Sequence, residues 1–270
     1  MKKKTPLASR TESFRKYNKS KQQVKRVIVL PDTQIPYHDK KTIKAVFSYI
    51  KDFKPDEVIQ LGDFMDFDCI SHWNAGNLRA IAGKTILDDY LVGNLLLDEL
   101  QAVAPKAKIT IISGNHDARV EKYIDANPQM EGMLEFEKAL KFKERGINYV
   151  DFWGKGKIYK IGNASFIHGL YTGEHHAKKH VQQFGTNIFY GHLHDVQAHS
   201  LVHMGKDKSL VGQSLGCLCT YDQQYMKGKP SKWRQAFGIF YFLPNGNFTY
   251  YVVQIFNHSF VSPEGRLYTP

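Results

Sequence analysis

Five times along this chain a short run of β-branched or aromatic residues ends in a polar loop. VIVL (27–30) leads into Pro31-Asp32-Thr33-Gln34, VIQL (58–61) into Gly62-Asp63-Phe64-Met65-Asp66, and KITIIS (108–113) into Gly114-Asn115-His116-Asp117. ASFI (164–167) leads into His168-Gly169, and NIFY (187–190) into Gly191-His192-Leu193-His194. Helical patterns lie between. KKTIKAVFSYIKDF (40–53) places Ile43, Val46, Phe47 and Ile50 at helical spacing. TILDDYLVGNLLLDELQAV (85–103) puts Leu87, Leu91 and Leu95 on one stripe, with Asp88 and Asp89 in a first turn where the helix dipole favours acid. Strands alternating with helices imply an α/β sheet. Ligands of such sheets bind at the carboxyl ends of the strands, so the five loops are expected to converge on one crevice.

Each loop alone is weak evidence. A lone His-x-His is more often a pair of ordinary loop histidines, GNHD suits a turn with an Asx cap, and Asp-x-x-Asp after a strand often starts a helix. Their occurrence in order, each just after an apolar strand, is what that reading does not supply. Carboxylates, an amide oxygen and neutral imidazoles make a mixed oxygen and nitrogen shell suited to Mn, Fe, Zn or Co. One carboxylate has two oxygens and can bridge two ions ~3.5–4 Å apart, an arrangement that generates hydroxide at neutral pH and clamps phosphoryl oxygens. The chemistry implied is hydrolysis of a phosphate ester.

The formal net charge of +11 suggests nucleic acid until it is located. Residues 1–26 hold ten Lys or Arg against Glu12 alone, whereas the remaining 244 residues carry 27 basic and 25 acidic groups. The charge is an arm, too poor in apolar residues to fold alone. It has no apolar stretch of the kind a signal peptide needs, and no run in the chain is long enough to span a bilayer, so a cytoplasmic protein without a membrane partner is expected. The three cysteines, Cys69, Cys217 and Cys219, exclude a disulfide framework in practice. Cys217 and Cys219 share a face if LGCLCTY is a strand. A C-x-C pair can hold a soft metal, but with no second pair nearby, reduced packing cysteines are the weightier reading.

The ordered set D-T-Q, G-D-F-M-D, G-N-H-D, H-G and G-H-L-H resembles the calcineurin-like metallophosphoesterases over about residues 27–258, and most of all the small phosphoesterases of phage and bacterial genomes. The resemblance implies an α/β fold of two packed mixed β-sheets flanked by helices, a four-layer sandwich, holding two divalent ions, Mn2+ foremost, with Fe, Zn or Co as alternatives. It also implies roles. Asp32 binds the first metal and Asp63 bridges both. Asn115, His168 and His192 complete the second, and His194 returns to the first, while Leu193 points back into the fold. His116 is the general acid or transition-state stabiliser for the leaving oxygen, with Asp66 orienting it through its other nitrogen.

Two departures stand out. The family has Asp-x-His in its first motif where this chain has Gln34, a neutral and weaker donor, so the first metal should be held less tightly; Gln34, directly or through a water, outranks His38 of PYHD as the replacement. Phe67 stands where protein serine/threonine phosphatases of the superfamily carry a phosphate-holding arginine, which argues against a protein phosphatase; Arg119 could supply the guanidinium instead, an exposed arginine at a helix start being the alternative reading. TGEHHAKKHVQQFG (172–185) reads as a helix with a solvated basic face, Trp233 and Arg234 as rim residues able to stack on a base, residues 121–150 as a helical insertion that is a candidate cap, and 259–270 as a C-terminal tail. Three functions fit: a phosphomono- or diesterase acting on a phosphate-ester substrate, a DNA or RNA nuclease that the basic arm would suit, and a catalytically silent binding scaffold, ranked last because only Gln34 deviates. Nothing in the sequence speaks to oligomeric state.

Overall fold

The computed structural model describes residues 24–74, 76, 78–202, 209–221 and 231–270. Residues 1–23 of the expected basic arm lie outside these. The arm's last two cations belong to the body: β1 (Lys25–Leu30) begins at Lys25, whose Nζ is 2.6 Å from Glu57 Oε2.

β1 shows how period-two alternation builds two cores at once. Val27 and Val29 lie in one buried cluster with Phe166, Ile188 and Phe240, and Ile28 and Leu30 in another with Val46, Ile50 and Leu97. A strand buried on both faces reads as a continuous apolar run, which is why VIVL carries no alternation. β2 (Glu57–Gln60), β3 (Lys108–Ile112) and β4 (Asn148–Val150) continue from β1 in parallel. A second sheet is formed by β5 (Tyr159–Ile161), β6 (Ala164–Phe166), β7 (Asn187–Tyr190), β8 (Ala198–Val202) and β9 (Ser209–Ser214), in the order β5-β6-β7-β9-β8, with β6, β7 and β9 parallel. β10 (Ala236–Phe242) and β11 (Phe248–Gln254) add antiparallel to β1, so the first sheet runs β11-β10-β1-β2-β3-β4. Both sheets are mixed, as expected.

The helices cover the outer faces. α1 (Lys40–Phe53) is capped by Asp39, whose carboxylate accepts from the Lys41 and Thr42 amides, and it buries Ile43, Val46, Phe47 and Ile50. α2 (Ile86–Val103) is capped by Thr85. Here the expected apolar stripe is the wrong one: Leu87, Leu91 and Leu95 are 71, 60 and 54% exposed, and the buried face is Tyr90, Gly93, Leu96, Leu97 and Leu100. Two leucine-bearing stripes run down this helix, and only the sheet decides which is covered. Gly93 belongs to the covered one because a Cβ there would meet Met65 Sδ at 2.8 Å.

The segment expected as a cap contains α3 (Arg119–Ala126), α4 (Phe136–Ala139) and α5 (Phe142–Arg145). Its Leu134, Phe136, Leu140 and Phe142 are buried in the core with Phe67 and Tyr90. α6 (Phe152–Lys155) follows β4, and α7 (His176–Phe184) packs on the outer face of the second sheet, where Ala177 O approaches Gly212. The layers are therefore helix, sheet, sheet, helix. The expected C-terminal tail is instead a hairpin of β12 (Phe260–Val261) and β13 (Leu267–Tyr268), with Phe260 and Tyr268 packed on Tyr49 of α1. No described helix is long and apolar enough to cross a membrane.

Candidate metal centre

The loops that carry the expected ligands leave the carboxyl ends of parallel strands in both sheets, three from β1, β2 and β3 and two from β6 and β7. The sheets pack face to face, so the loops meet at one rim. Close approach there requires glycine at two points. A Cβ on Gly191 would fall 2.0 Å from Asp32 Oδ2, and one on Gly114 would fall 2.1 Å from Asp63 Oδ1. The backbone is strained where the donors are presented: Gln34, Asp63, His192 and His194 all have positive φ, at 50°, 47°, 72° and 61°. Such residues cost about 1–3 kcal/mol each and persist only where the surroundings over-determine them. Thr33 and Gln34 amides both donate to Asp63 O, at 3.1 and 2.8 Å, which ties the first loop to the second.

The fit to a metal is tightest around His168, a side chain with no exposure. Its Nδ1 lies 3.0 Å from the Leu61 carbonyl oxygen. That contact needs the proton on Nδ1 and turns Nε2 into the pocket, where it offers a lone pair whenever the ring is neutral. Asn115 Oδ1, His192 Nδ1 and Asp63 Oδ2 lie 3.0, 3.1 and 3.3 Å from this nitrogen. Lone pairs aimed at one another in a buried pocket repel, and a cation among them removes the repulsion. The titration behaviour shows the same demand. Burial alone would lower His168, but the Asp63 and Asp32 carboxylates outweigh it and push it up to about 9. Burial and the neighbouring His168 take His192 down to about 4. Burial opposes ionised Asp63, yet His116 and His168 hold its carboxyl well below the usual range.

The second cluster centres on Asp32, which is fully buried. Both its oxygens accept from the His192 amide, at 3.0 and 2.9 Å, and Oδ1 lies 3.2 Å from His194 Nε2. Burial would lower His194, but Asp32 raises it. The Gln34 amide nitrogen is 3.3 Å from His194 Nε2. A half-turn of that amide exchanges nitrogen for oxygen and presents an oxygen donor at the same place. His38 does not join the group. It forms a backbone bridge with Cys219, and burial and Lys40 lower its ring to about 4.

Beside these lies a relay. His116 Nδ1 is 3.0 Å from Asp66 Oδ2, its Nε2 is 3.8 Å from Asp63 Oδ2, and its amide donates to Asp63 Oδ1 at 2.8 Å. Arg119 Nη1 donates to Asp66 O and Oδ1 at 2.6 and 3.0 Å, and Nη2 is 3.2 Å from His116 Nε2. The guanidinium expected to hold phosphate is thus committed to Asp66. Phe67 is fully buried, packs on Tyr90 and Phe136, and offers nothing polar.

Residues 25–199 match the family of calcineurin-like phosphoesterases. The chain belongs to that family. The match covers all seven expected metal ligands and the His116 relay, and makes a metal-dependent phosphoesterase the family-level assignment. The Gene 54 protein of Mycobacterium phage D29 is 31% identical over 225 residues, 80% of this chain and 88% of that protein. The Gene 54 protein of Mycobacterium phage L5 is 31% identical over 231 residues, with the same coverage of 80% and 88%. Among solved structures, Vps29 of Entamoeba histolytica complexed with Zn2+ aligns at TM-score 0.44 and 14% identity, covering 91% of this chain and 97% of that one. Vps29 of Cryptosporidium parvum aligns at 0.46 and 14%, covering 92% and 97%.

The structure brings every expected ligand to this rim, and Leu193 between the two histidines is half-buried against the edge of the inter-sheet core. It also adds residues that sequence reasoning passed over. Asp117 accepts from the Met65 and Gly114 amides at 3.0 and 2.9 Å and so joins two ligand loops; burial, then Asp63, raises its carboxyl above the usual range. Its place inside GNHD was a usable signal. Trp153, with no motif around it, lies 5.9 and 5.8 Å from His168 and His192, ring centre to ring centre; Trp233, expected at the rim, lies 4.1 Å from His194. The helix at 172–185 keeps Lys178 and Lys179 in solvent but buries His176 and His180. His176 bonds the Tyr190 hydroxyl and Asp195 at 2.7 and 3.0 Å, bracing the strand end before Gly191.

Proposed function

We propose that the chain hydrolyses a phosphate ester with two divalent ions, Mn2+ foremost and Fe, Zn or Co as alternatives. Asp32, Gln34, Asp63 and His194 would hold the first, and Asp63, Asn115, His168 and His192 the second. The observation that carries this reading is the crowding of Asn115, His192 and Asp63 donors within 3.0–3.3 Å of His168 Nε2. When bound, the ion pair supplies a nucleophile from water at neutral pH and neutralises charge on the phosphoryl group.

The protein's own part is positioning and proton transfer. Asp66 accepts from His116 Nδ1 and stabilises the protonated ring, and Arg119 fixes Asp66 through two hydrogen bonds. His116 Nε2 accepts from Arg119 Nη2 at 3.2 Å, so the ring must first take a proton from solvent at Nε2 and turn that N–H away from Arg119, and it then passes the proton to the leaving oxygen. Protein stripped of metal and resupplied with Mn2+ should hydrolyse a chromogenic phosphodiester or its monoester well above the Asp63→Asn variant. Equal rates for the two proteins would refute the reading.

One observation favours a nuclease within this chemistry. A cavity of about 280 Å3 bounded by Leu193, Trp233 and Lys232 shares the wall Thr172, Gly173 and His176 with a cavity of about 590 Å3 bounded by Lys178 and Lys179. The groove sets Lys178, Lys179 and Lys232 against Glu174 and Asp195, and with an aromatic at its metal end it suits a single strand, whose backbone follows the lysines and whose bases stack. Replacing Lys178 and Lys179 by Glu should weaken single-stranded DNA binding and leave chromogenic ester hydrolysis unchanged; unchanged DNA binding would remove the nuclease reading.

A further inference from the structure

The two cysteines that read as packing residues in the sequence acquire a third partner in the fold. Residues 215–219 thread between two other segments, with Leu218 N donating to Asp32 O at 2.8 Å, Asp39 N to Leu218 O at 2.9 Å and Cys217 N to Arg234 O at 3.0 Å. Bridges to Gln235 and His38 hold Cys217 and Cys219 in place. The two sulfurs stand on one side of this segment, close to each other, while Leu218 enters the core. That face looks at the back of His194. Its Nε2 is 3.2 Å from Asp32, and its Nδ1 is 3.9 Å from Cys219 Sγ. One donor each from His194, Cys217 and Cys219 lie within 4.8 Å of one another, and all three residues are buried.

The separation fits a shared ion. Donors at about 2.3 Å (sulfur) and 2.0–2.1 Å (nitrogen) from one metal, at the tetrahedral angle, stand roughly 3.6 Å apart, within a few tenths of an ångström of the distance found. It is long for a hydrogen bond that would merely orient an imidazole. A metal-ligating histidine ordinarily gives its second nitrogen to a carboxylate, a backbone carbonyl or water. Here it faces sulfur. Two thiolates and an imidazole, with no oxygen in the set, select a soft ion against Mn2+ or Mg2+.

We propose that Cys217, Cys219 and His194 Nδ1 form a buried soft-metal site, for Zn2+ or Cu+, separate from the oxygen and nitrogen centre and joined to it through the His194 ring. The proposal rests on the phosphoesterase reading only for the role of His194 Nε2. Loading the site releases the two thiol protons, and the Nδ1 proton as well when Nε2 already holds an ion. The chain then carries one ion more than the phosphoesterase centre requires, and two ions of different chemistry meet on one imidazole.

The test is Co2+ titration of the full, reduced, metal-free chain. Thiolate coordination gives a sulfur-to-cobalt charge-transfer band in the near ultraviolet that oxygen and nitrogen ligands do not. The band should appear in the wild type, vanish in the Cys217→Ser/Cys219→Ser double variant with a loss of one ion per chain, and survive in Asp63→Asn. No band in the wild type, or a band unchanged in the double variant, overturns the proposal. Asp63→Asn that still binds its full complement of ions would instead count against the phosphoesterase centre. Should the double variant not fold, X-ray absorption of wild-type chain loaded with Zn2+ or, anaerobically, Cu+ decides. Two sulfur neighbours on either metal support the site, and oxygen and nitrogen neighbours alone for both overturn it.

Discussion

Replacing His116 by Ala isolates the proton-transfer step from the metal frame. The bridging carboxylate depends on the His116 backbone, whose amide donates to Asp63 Oδ1 at 2.8 Å, and Ala keeps that amide. Asp66 keeps both bonds from Arg119, so its carboxylate is not left unpartnered. What is lost is the ring, whose Nε2 stands 3.8 Å from Asp63 Oδ2. Positioned general acids contribute roughly 10²–10⁴ in rate, equivalent to about 2.7–5.4 kcal/mol of barrier. The loss should fall in kcat on a substrate with a poor leaving group, such as an alkyl ester. It should shrink toward unity with a nitrophenolate leaving group, which departs without a proton. Metal content by elemental analysis should equal that of the wild type. Asp66→Asn, which still accepts from Nδ1 but no longer stabilises the charged ring, should give a smaller loss on the same substrate. Wild-type turnover of the alkyl ester by His116→Ala, or a loss that is the same for both leaving groups, would refute the assignment.

Gln34→His should tighten the first ion, seen as a lower Mn2+ concentration for half-maximal activity, because His tolerates the φ of 50° found there and supplies a stronger donor; two equally tight sites in a calorimetric titration of the native chain would contradict this. Gly191→Ala places a Cβ 2.0 Å from Asp32 Oδ2 and should release the first ion while the thermal transition stays cooperative; full metal content in that variant would show that the loop yields. Asp89 is raised to about 7 by burial and then by Asp68, so its folded pKa lies above the unfolded one, and its contribution to stability is full at acid pH and declines as pH rises toward about 7. Asp89→Asn should therefore raise the melting temperature at pH 8 and lose that advantage near pH 4; a gain independent of pH would count against the shift. Deleting residues 2–23 should flatten the salt dependence of DNA binding, whose log–log slope is roughly −0.7 to −0.9 per phosphate contacted, and leave ester hydrolysis intact, and an unchanged slope would leave the arm without a tethering role.

The candidate ligand set was legible in the sequence for a local reason. Strands buried on both faces appear as short apolar runs, and the polar residues that end them are those that reach the rim, so Asp32, Asp63, Asn115, His168, His192 and His194 could be picked without coordinates. Caps such as Asp39 and Thr85 are equally local, since a side chain there bonds amides two or three positions away. What the sequence could not decide depends on surfaces far apart along the chain. Helix α2 carries leucines on two stripes, and packing against the sheet, not periodicity, leaves Leu87, Leu91 and Leu95 in solvent. The guanidinium of Arg119 has the reach to hold phosphate, and only the turn around Phe67 brings the Asp66 carbonyl and carboxylate within 2.6 and 3.0 Å of it. Residues 259–270 have too little apolar content to announce themselves, yet Phe260 and Tyr268 find Tyr49. Cys217 and Cys219 stand beside His194 because the segment after β9 threads between Asp32 and Arg234. Local patterns record which side chains are buried or turned outward, whereas the identity of each neighbour is a property of the packed sheets, and it is neighbours that make a site.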